Sequence, residues 1–349
     1  MTPRRSPTVI WERFPAEASG HVWNSTLATL DGSNFFQSYE WGEYKRRDGW
    51  VPLRLMRRDA SSTVVAMTQA LAHVYLGRVA AAWIPGGPAG RVAEWADSLR
   101  RGFATQEGFW SCYLRLNSVR VHDEADERLL TSGGWRRPNT RLGSWSSVRL
   151  AIDADRDRNL ALLSGNWRHN LRRAQKAGLV VEEWHDPVAA DVARLYAEME
   201  GYKGLNAQQD VRDLERMFGS FEDTLVIYRC RGQDGELLSI RGCGVIGSQA
   251  WDLLAATSVQ GRKSYASYLT CWEMLERCRQ LGVREFDFSG VDPDANPGVF
   301  NFKKGTGAEL FSYLGEWETA SPRFLSTIVN QSLRRRARTS VTKTVPSIG

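Results

Sequence analysis

The runs Thr224-Leu225-Val226-Ile227-Tyr228-Arg229-Cys230-Arg231, Leu237-Leu238-Ser239-Ile240-Arg241-Gly242-Cys243-Gly244-Val245-Ile246 and Gln249-Ala250-Trp251-Asp252-Leu253-Leu254-Ala255-Ala256 follow one another in the second half of the chain. Each is dominated by β-branched, aromatic and other apolar residues. The gaps between them hold Gly, Asp and Ser, so three consecutive strands are expected. The amphipathic stretch 266–281 then reads as a helix and 285–288 as one more strand. Strands that arrive in a run, closed by a helix and a further strand, point to an α+β unit rather than alternating βαβ units.

Reading outward from there, residues 166–177 form a helical pattern that stops at Gly178. A strand at 179–184 and helices at 187–202 and 210–218 lead into the run. The first half repeats this order. A helix opened by Ser38 covers 36–45, and strands at 51–56, 63–72 and 79–84 follow. The third strand stops at the reversal Pro85-Gly86-Gly87-Pro88. A helical pattern at 91–107, a strand at 112–116, a helix at 123–132 and a strand pair within 135–150 complete that half. An aromatic strand at 311–317 and a helix at 321–338 close the chain. That last helix has little core of its own and is expected to pack back on the first unit. A length of 349 residues suits two domains. The duplication rests on element order alone, since no residue-level repeat joins the halves.

Composition narrows the function classes. Hydrophobic content of 42% and charged content of 25% suit a chain that can bury large cores. No run approaches the ~18 apolar residues of a membrane span. The basic start Met1-Thr2-Pro3-Arg4-Arg5 lacks the apolar run of a signal peptide, which favours the cytoplasm. The five cysteines have no C-x-x-C pair, so neither a disulfide framework nor zinc is expected, and no metal or cofactor is called for. A net charge of +6 permits steering of an anionic partner. The 14 tryptophans imply extensive cores or aromatic-lined grooves.

Three segments could carry chemistry. On the helix from Asn166, the residues Arg168, Arg172 and Lys176 share one face, which reads either as a solvated cationic face or as a phosphate-binding one. The segment Val299-Phe300-Asn301-Phe302-Lys303-Lys304-Gly305-Thr306-Gly307 sets a lysine pair among aromatics and glycines, in what reads as a turn after a Pro/Gly/Asp loop. Its glycines permit close approach of backbone N–H groups to an anion. Gln260-Gly261-Arg262-Lys263-Ser264-Tyr265-Ala266 lies between strand and helix, where acetyl-CoA-using acyltransferases carry a glycine-rich pyrophosphate loop. Here Lys263 and Tyr265 occupy the small-residue positions and would crowd a pyrophosphate. Asp287 and Asp292 are possible bases, though strand-end aspartates more often stabilise turns. No nucleophile arrangement stands out. A reaction that needs positioning and a cation for a developing oxyanion fits these residues best.

At these residues the chain resembles the FemABX aminoacyltransferases, the tRNA-dependent family that builds peptidoglycan cross-bridges. The resemblance is carried, in order, by Phe36-Gln37-Ser38-x-x-Trp41-Gly42-x-x-Lys45, Pro85-Gly86-Gly87-Pro88, Trp167-Arg168-x-Asn170-Leu171-Arg172-Arg173-Ala174-x-Lys176-x-Gly178, Gly282-Val283-x-x-Phe286-Asp287-Phe288-Ser289-Gly290 and Phe302-Lys303-Lys304-Gly305-x-Gly307. It implies two tandem N-acetyltransferase-like (GNAT-like) domains. These would be residues 1–150 with 318–349, and residues 151–317, the first completed by the C-terminal helix.

It also implies an aminoacyl-tRNA co-substrate, no cofactor, and an amine acceptor on a peptidoglycan precursor or a small peptide or natural product. A lipid-linked acceptor would bring the protein near a membrane surface. By the resemblance Lys303, with Phe302 beside it, stabilises the transition state, and Lys45 binds the acceptor's phosphate-bearing end. Trp41, Arg168, Tyr202 and Lys203 are placed with the acceptor, and Lys304, Arg172, Arg173, Lys176 and Arg262 with the tRNA. The charged helical arm of longer members is absent, and Thr306 stands where the family usually has a larger apolar residue. Two other readings compete: an acyl-CoA-dependent N-acyltransferase of the same fold, and a non-catalytic RNA-binding protein.

Overall fold

The computed structural model describes residues 11–202 and 210–340. They divide into two compact units, residues 11–145 with 312–340, and residues 146–311. The first unit holds β1 (Trp11–Arg13), β2 (Val51–Arg58), β3 (Val64–Tyr75), β4 (Val79–Gly86) and β5 (Ser111–Val121). The second holds β6 (Ser146–Ala151), β7 (Val180–Glu183), β8 (Leu225–Arg231), β9 (Leu237–Ile246), β10 (Gln249–Thr257) and β11 (Glu285–Asp287). The strand β12 (Glu309–Ser321) leads back and, from Tyr313 onward, pairs with β5.

Both units are mixed α and β, and their sheets share a pattern. In the first the order is β1-β2-β3-β4-β5-β12, and in the second β6-β11-β10-β9-β8-β7. Every other described pair is antiparallel, but β4 with β5 and β10 with β11 are parallel. A parallel pair needs a crossover, and a helix supplies it each time: Leu99–Glu107 in the first unit, Ala266–Gln280 in the second. The sheets are covered by aromatic-rich cores. Trp95, Phe103, Leu114 and Trp317 anchor the first, and Trp167, Trp272, Phe286 and Phe288 the second. The tryptophans thus serve mainly as core. The closing helix Phe324–Ser340 is tied to β12 by Asn330, whose Nδ2 donates to both carboxylate oxygens of Glu318 at 3.0 and 2.9 Å.

Local chemistry explains most boundaries. Ser38 accepts from the Trp41 N–H and starts the helix Tyr39–Arg46. Ser164 does the same for Gly165–Lys176 through the Trp167 N–H. Three sequence expectations need correction. Only β6 forms within 135–150, because the loop ahead of it is held instead by Glu316, which accepts from the Leu142 and Gly143 N–H groups. The helical pattern at 91–107 splits into Val92–Trp95 and Leu99–Glu107. The lysine-pair segment is the end of a helix rather than a turn.

Candidate active site

That helix is Pro297–Lys304. Asn296 caps it by accepting from the Val299 N–H, Pro297 fits the first turn, and Gly305 ends it. Periodicity could not announce a helix of eight residues in which only Lys303 is buried. The helix splits its lysines. Lys304 points outward, over the Phe300 ring. Lys303 turns inward and is only 4% exposed. Its Nζ donates to the carbonyl oxygens of Phe288 (2.6 Å) and Gly290 (2.9 Å). An ammonium has three protons. Two are used here, and the third has no acceptor among the described residues.

The carbonyls that hold Lys303 belong to a bend made where β11 ends. Parallel pairing of β10 with β11 stops at Trp251 and Asp287, yet β10 runs on to Thr257 with β9 at its other edge. Past Asp287 the chain turns through Ser289 and Gly290, both with positive φ (56° and 81°). Asp287 and Ser147 fix this bend. The Ser147 hydroxyl donates to Asp287 Oδ1 at 2.5 Å and accepts from the Gly290 N–H, and the Ser289 N–H donates to the same carboxylate oxygen. Asp287 is thereby a structural clasp. Asp292 is a turn residue that accepts from the Asp294 and Ala295 N–H groups.

Two residues that sequence reasoning missed complete the cluster. Asp252, the first β10 residue beyond the paired segment, takes a hydrogen bond from Arg241 of β9 at 2.5 Å, and both side chains are buried. The Arg241 guanidinium lies 5.4 Å from the ring centres of both Phe288, whose carbonyl holds Lys303, and Phe302, the chain neighbour of Lys303. Burial pushes the Lys303 ammonium below the ordinary lysine range, and the negative charge of Asp252 opposes that shift. The one available signal was a charged pair on two otherwise apolar strands, since buried charges are rarely left unpaired.

The glycines serve packing rather than anion approach. A Cβ on Gly305 would lie 2.8 Å from the Trp167 ring, and one on Gly307 would lie 2.8 Å from Leu162, where φ is also +94°. Gly305 therefore lets this helix end seat against the start of helix Gly165–Lys176, and Gly307 lets the chain pass the end of helix Arg156–Leu162. Trp167 Nε1 donates to the Phe302 carbonyl, and Trp167, Tyr268 and Phe302 form an aromatic triangle. Thr306 is buried and donates its hydroxyl to the Lys303 carbonyl, so it fixes the backbone of the lysine. Gly307→Ala is expected to destabilise the fold by about 1–3 kcal/mol through strain and overpacking, read as a lower denaturation midpoint.

The remaining candidates spread over both units. Arg172, Arg173 and Lys176 are exposed along one helix, with Arg173 over the Tyr265 ring. Arg168 is partly buried and donates to the Ala161 carbonyl. Arg262 is exposed and stacks on Tyr202. Lys203 lies outside the described residues. In the first unit, Lys45 packs over the Tyr44 and Trp41 rings and pairs with Asp48 at 3.3 Å, while Trp41 packs edge-on to Phe35 and Phe36. Among the described residues no group of His, Cys, Asp and Glu could hold a metal, and no helix is long and apolar enough to cross a membrane.

The FemAB family model matches residues 245–329, which contain β10, β11, Lys303 and β12. No curated protein sequence matches the chain. Among solved structures, the crystal structure of FemX superposes with a TM-score of 0.79 over 90% of this chain and 99% of its own, at 16% identity. A conserved protein of unknown function from Bacteroides thetaiotaomicron gives 0.59 at 11% identity, covering 89% and 99%. A tandem GNAT protein from the clavulanic acid biosynthesis pathway gives 0.51 at 13% identity, covering 89% and 98%. The FemAB family match thus contains the Lys303 helix, and nearly the whole chain follows a course similar to that of FemX.

Proposed function

We propose that the protein moves an amino acid from aminoacyl-tRNA to an amine of a peptidoglycan precursor, or of a small peptide or natural-product acceptor, and forms an amide bond. The observation that carries this reading is Lys303: a buried ammonium, held by two carbonyls, with its third proton unclaimed. The ester on tRNA is already activated. The acceptor amine in its neutral form attacks the ester carbonyl, the carbonyl oxygen becomes an oxyanion that accepts from Lys303, and as the tetrahedral intermediate collapses the C–O bond to the tRNA ribose breaks, the ribose oxygen taking up the proton that the attacking nitrogen gives up. A fixed donor in a site shielded from water favours that oxyanion without reorganising at the moment of reaction. The two units are read as tandem GNAT-like domains. Lys45, Trp41, Arg168, Tyr202 and Lys203 are assigned to the acceptor, and Lys304, Arg172, Arg173, Lys176 and Arg262 to the tRNA.

Support for tRNA over coenzyme A comes from Gln260–Ala266. There the short helix Val259–Lys263 replaces an open loop, and a Cβ on Gly261 would strike the Leu238 carbonyl. Tyr265, in a left-handed conformation, packs against Tyr268 and under Arg173. The direct test incubates the protein with a pool of charged tRNAs and candidate acceptors and looks by mass spectrometry for one added residue. Transfer from acetyl-CoA instead, or RNA binding without any transfer, would overturn the proposal. Affinity for tRNA should drop steeply between low and moderate salt, as phosphate contacts through Arg and Lys require. A flat salt response would remove the assignment of the exposed Arg172, Arg173 and Lys176 row.

A further inference from the structure

At one end of the first unit's sheet three chain segments meet. The turn joining β3 to β4 places Tyr75, Leu76 and Arg78 at its tip, and Leu76 is 98% exposed. The Trp110 N–H donates to the Arg78 carbonyl, and the Arg78 guanidinium lies over the Trp110 ring, which is itself 76% exposed. The next residue, Ser111, donates its hydroxyl to the Ser321 carbonyl at the end of β12. Arg323 and Phe324 follow at once, Phe324 is 61% exposed, and Ile328 sits exposed one helical turn on. A single exposed apolar residue is ordinary, but Tyr75, Leu76, Trp110, Phe324 and Ile328 carried by adjoining segments are not. The charge there has one sign. Residues 71–80, 108–115 and 319–333 contain no Asp or Glu, while Arg78 and Arg323 are exposed.

We propose that this face, built on Leu76, Trp110 and Phe324 with Arg78 and Arg323, docks on an anionic lipid bilayer surface. The chemistry matches the membrane interface on three counts. The aliphatic tip can enter the acyl boundary, tryptophan and tyrosine suit the headgroup level, and arginines without neighbouring carboxylates attract anionic headgroups. The stacking of Arg78 on Trp110 keeps a cation at the depth of the aromatic ring, as an amphipathic side chain at such a boundary does. A second protein would be expected to complement the apolar face with hydrogen-bonding groups at its rim, and this single-sign rim suits lipid better. The inference does not rest on the transfer reaction proposed above.

The test is sedimentation of the full chain with vesicles of phosphatidylcholine alone or mixed with phosphatidylglycerol, at low and high salt. Binding is expected only with phosphatidylglycerol present, and it should weaken as salt rises. Leu76→Asp is expected to lower vesicle affinity by about tenfold or more. Because Leu76 touches almost nothing, this variant should melt as the parent does. Arg78→Glu should weaken binding to the mixed vesicles as well, and both variants should bind aminoacyl-tRNA normally. The proposal is overturned if the parent chain does not sediment with mixed vesicles, or if both variants bind them as the parent does. It is equally overturned if the parent is a dimer that Leu76→Asp dissolves with no vesicle binding in either, which would give the face to a second copy.

Discussion

Lys303→Met is expected to lower amino-acid transfer by about 10²–10³-fold, the loss that removal of one oxyanion donor produces, or roughly 3–4 kcal/mol of transition-state stabilisation. Methionine keeps the length and apolar stem of lysine and removes only the ammonium. The Phe288 and Gly290 carbonyls lose their donor, which costs stability, but an ammonium no longer has to be desolvated, which returns some of it. The protein should therefore stay folded. Single-turnover transfer alongside a thermal melt separates the two effects. Loss of the chemical step with tRNA affinity intact marks an interaction made in the transition state. Near-normal turnover in a folded variant would sink the assignment. Only protonated Lys303 can donate to an oxyanion, and burial lowers its pKa, so transfer should fall as pH rises through a value below the ordinary lysine range of about 10.4.

Much of this arrangement could be read from the residues, and its gaps have physical causes. The run of strands β8 to β10 was legible because long apolar, β-branched runs there are separated by Gly, Asp and Ser, and the helix after them because its apolar residues recur with a helical period. The Ser38 cap was legible because an N-cap is a local event. Lys303 could be nominated, but not its orientation. Which of two adjacent lysines turns inward depends on a helix of eight residues, capped by Asn296 and stopped at Gly305, that periodicity does not announce. The glycines were misread for a related reason. A glycine needed for close approach looks the same in a sequence whether the approaching atom is a phosphate or the Trp167 ring. Arg241, Asp252 and Ser147 went unnoticed because their meaning lies in strand register and in the place where β10 and β11 part. Those are long-range facts. The net charge permitted an anionic partner without saying where it would bind, and the exposed tip at Leu76 left no trace in any motif.

Arg241→Ala and Asp252→Asn are expected to have the largest effects on stability, because each strands a buried charge. Breaking such a pair from one side typically costs about 3–5 kcal/mol, whereas replacing both partners with apolar residues of similar volume is often close to neutral. The denaturation midpoint should accordingly fall sharply in each single variant and recover in a double variant such as Arg241→Met with Asp252→Leu. Stability alone would not distinguish this pair from any other buried bridge. The distinguishing readout is the alkaline limb of the pH–rate profile. Asp252 is the foremost of the anions, Asp287 among them, that oppose the desolvation of Lys303, so removing its charge lets the Lys303 pKa fall further. In Asp252→Asn the limb should move to lower pH, and in the rescued double variant it should move less far in that direction, because losing the Arg241 cation offsets part of the shift. Arg241 disfavours the Lys303 charge, so Arg241→Ala should shift the limb the opposite way, toward higher pH. Opposite shifts in the two single variants, each destabilised in the same sense, would mean that the pair sets the charge of Lys303. Limbs that stay where they are would reduce Arg241 and Asp252 to a fold-holding bridge with no bearing on the lysine.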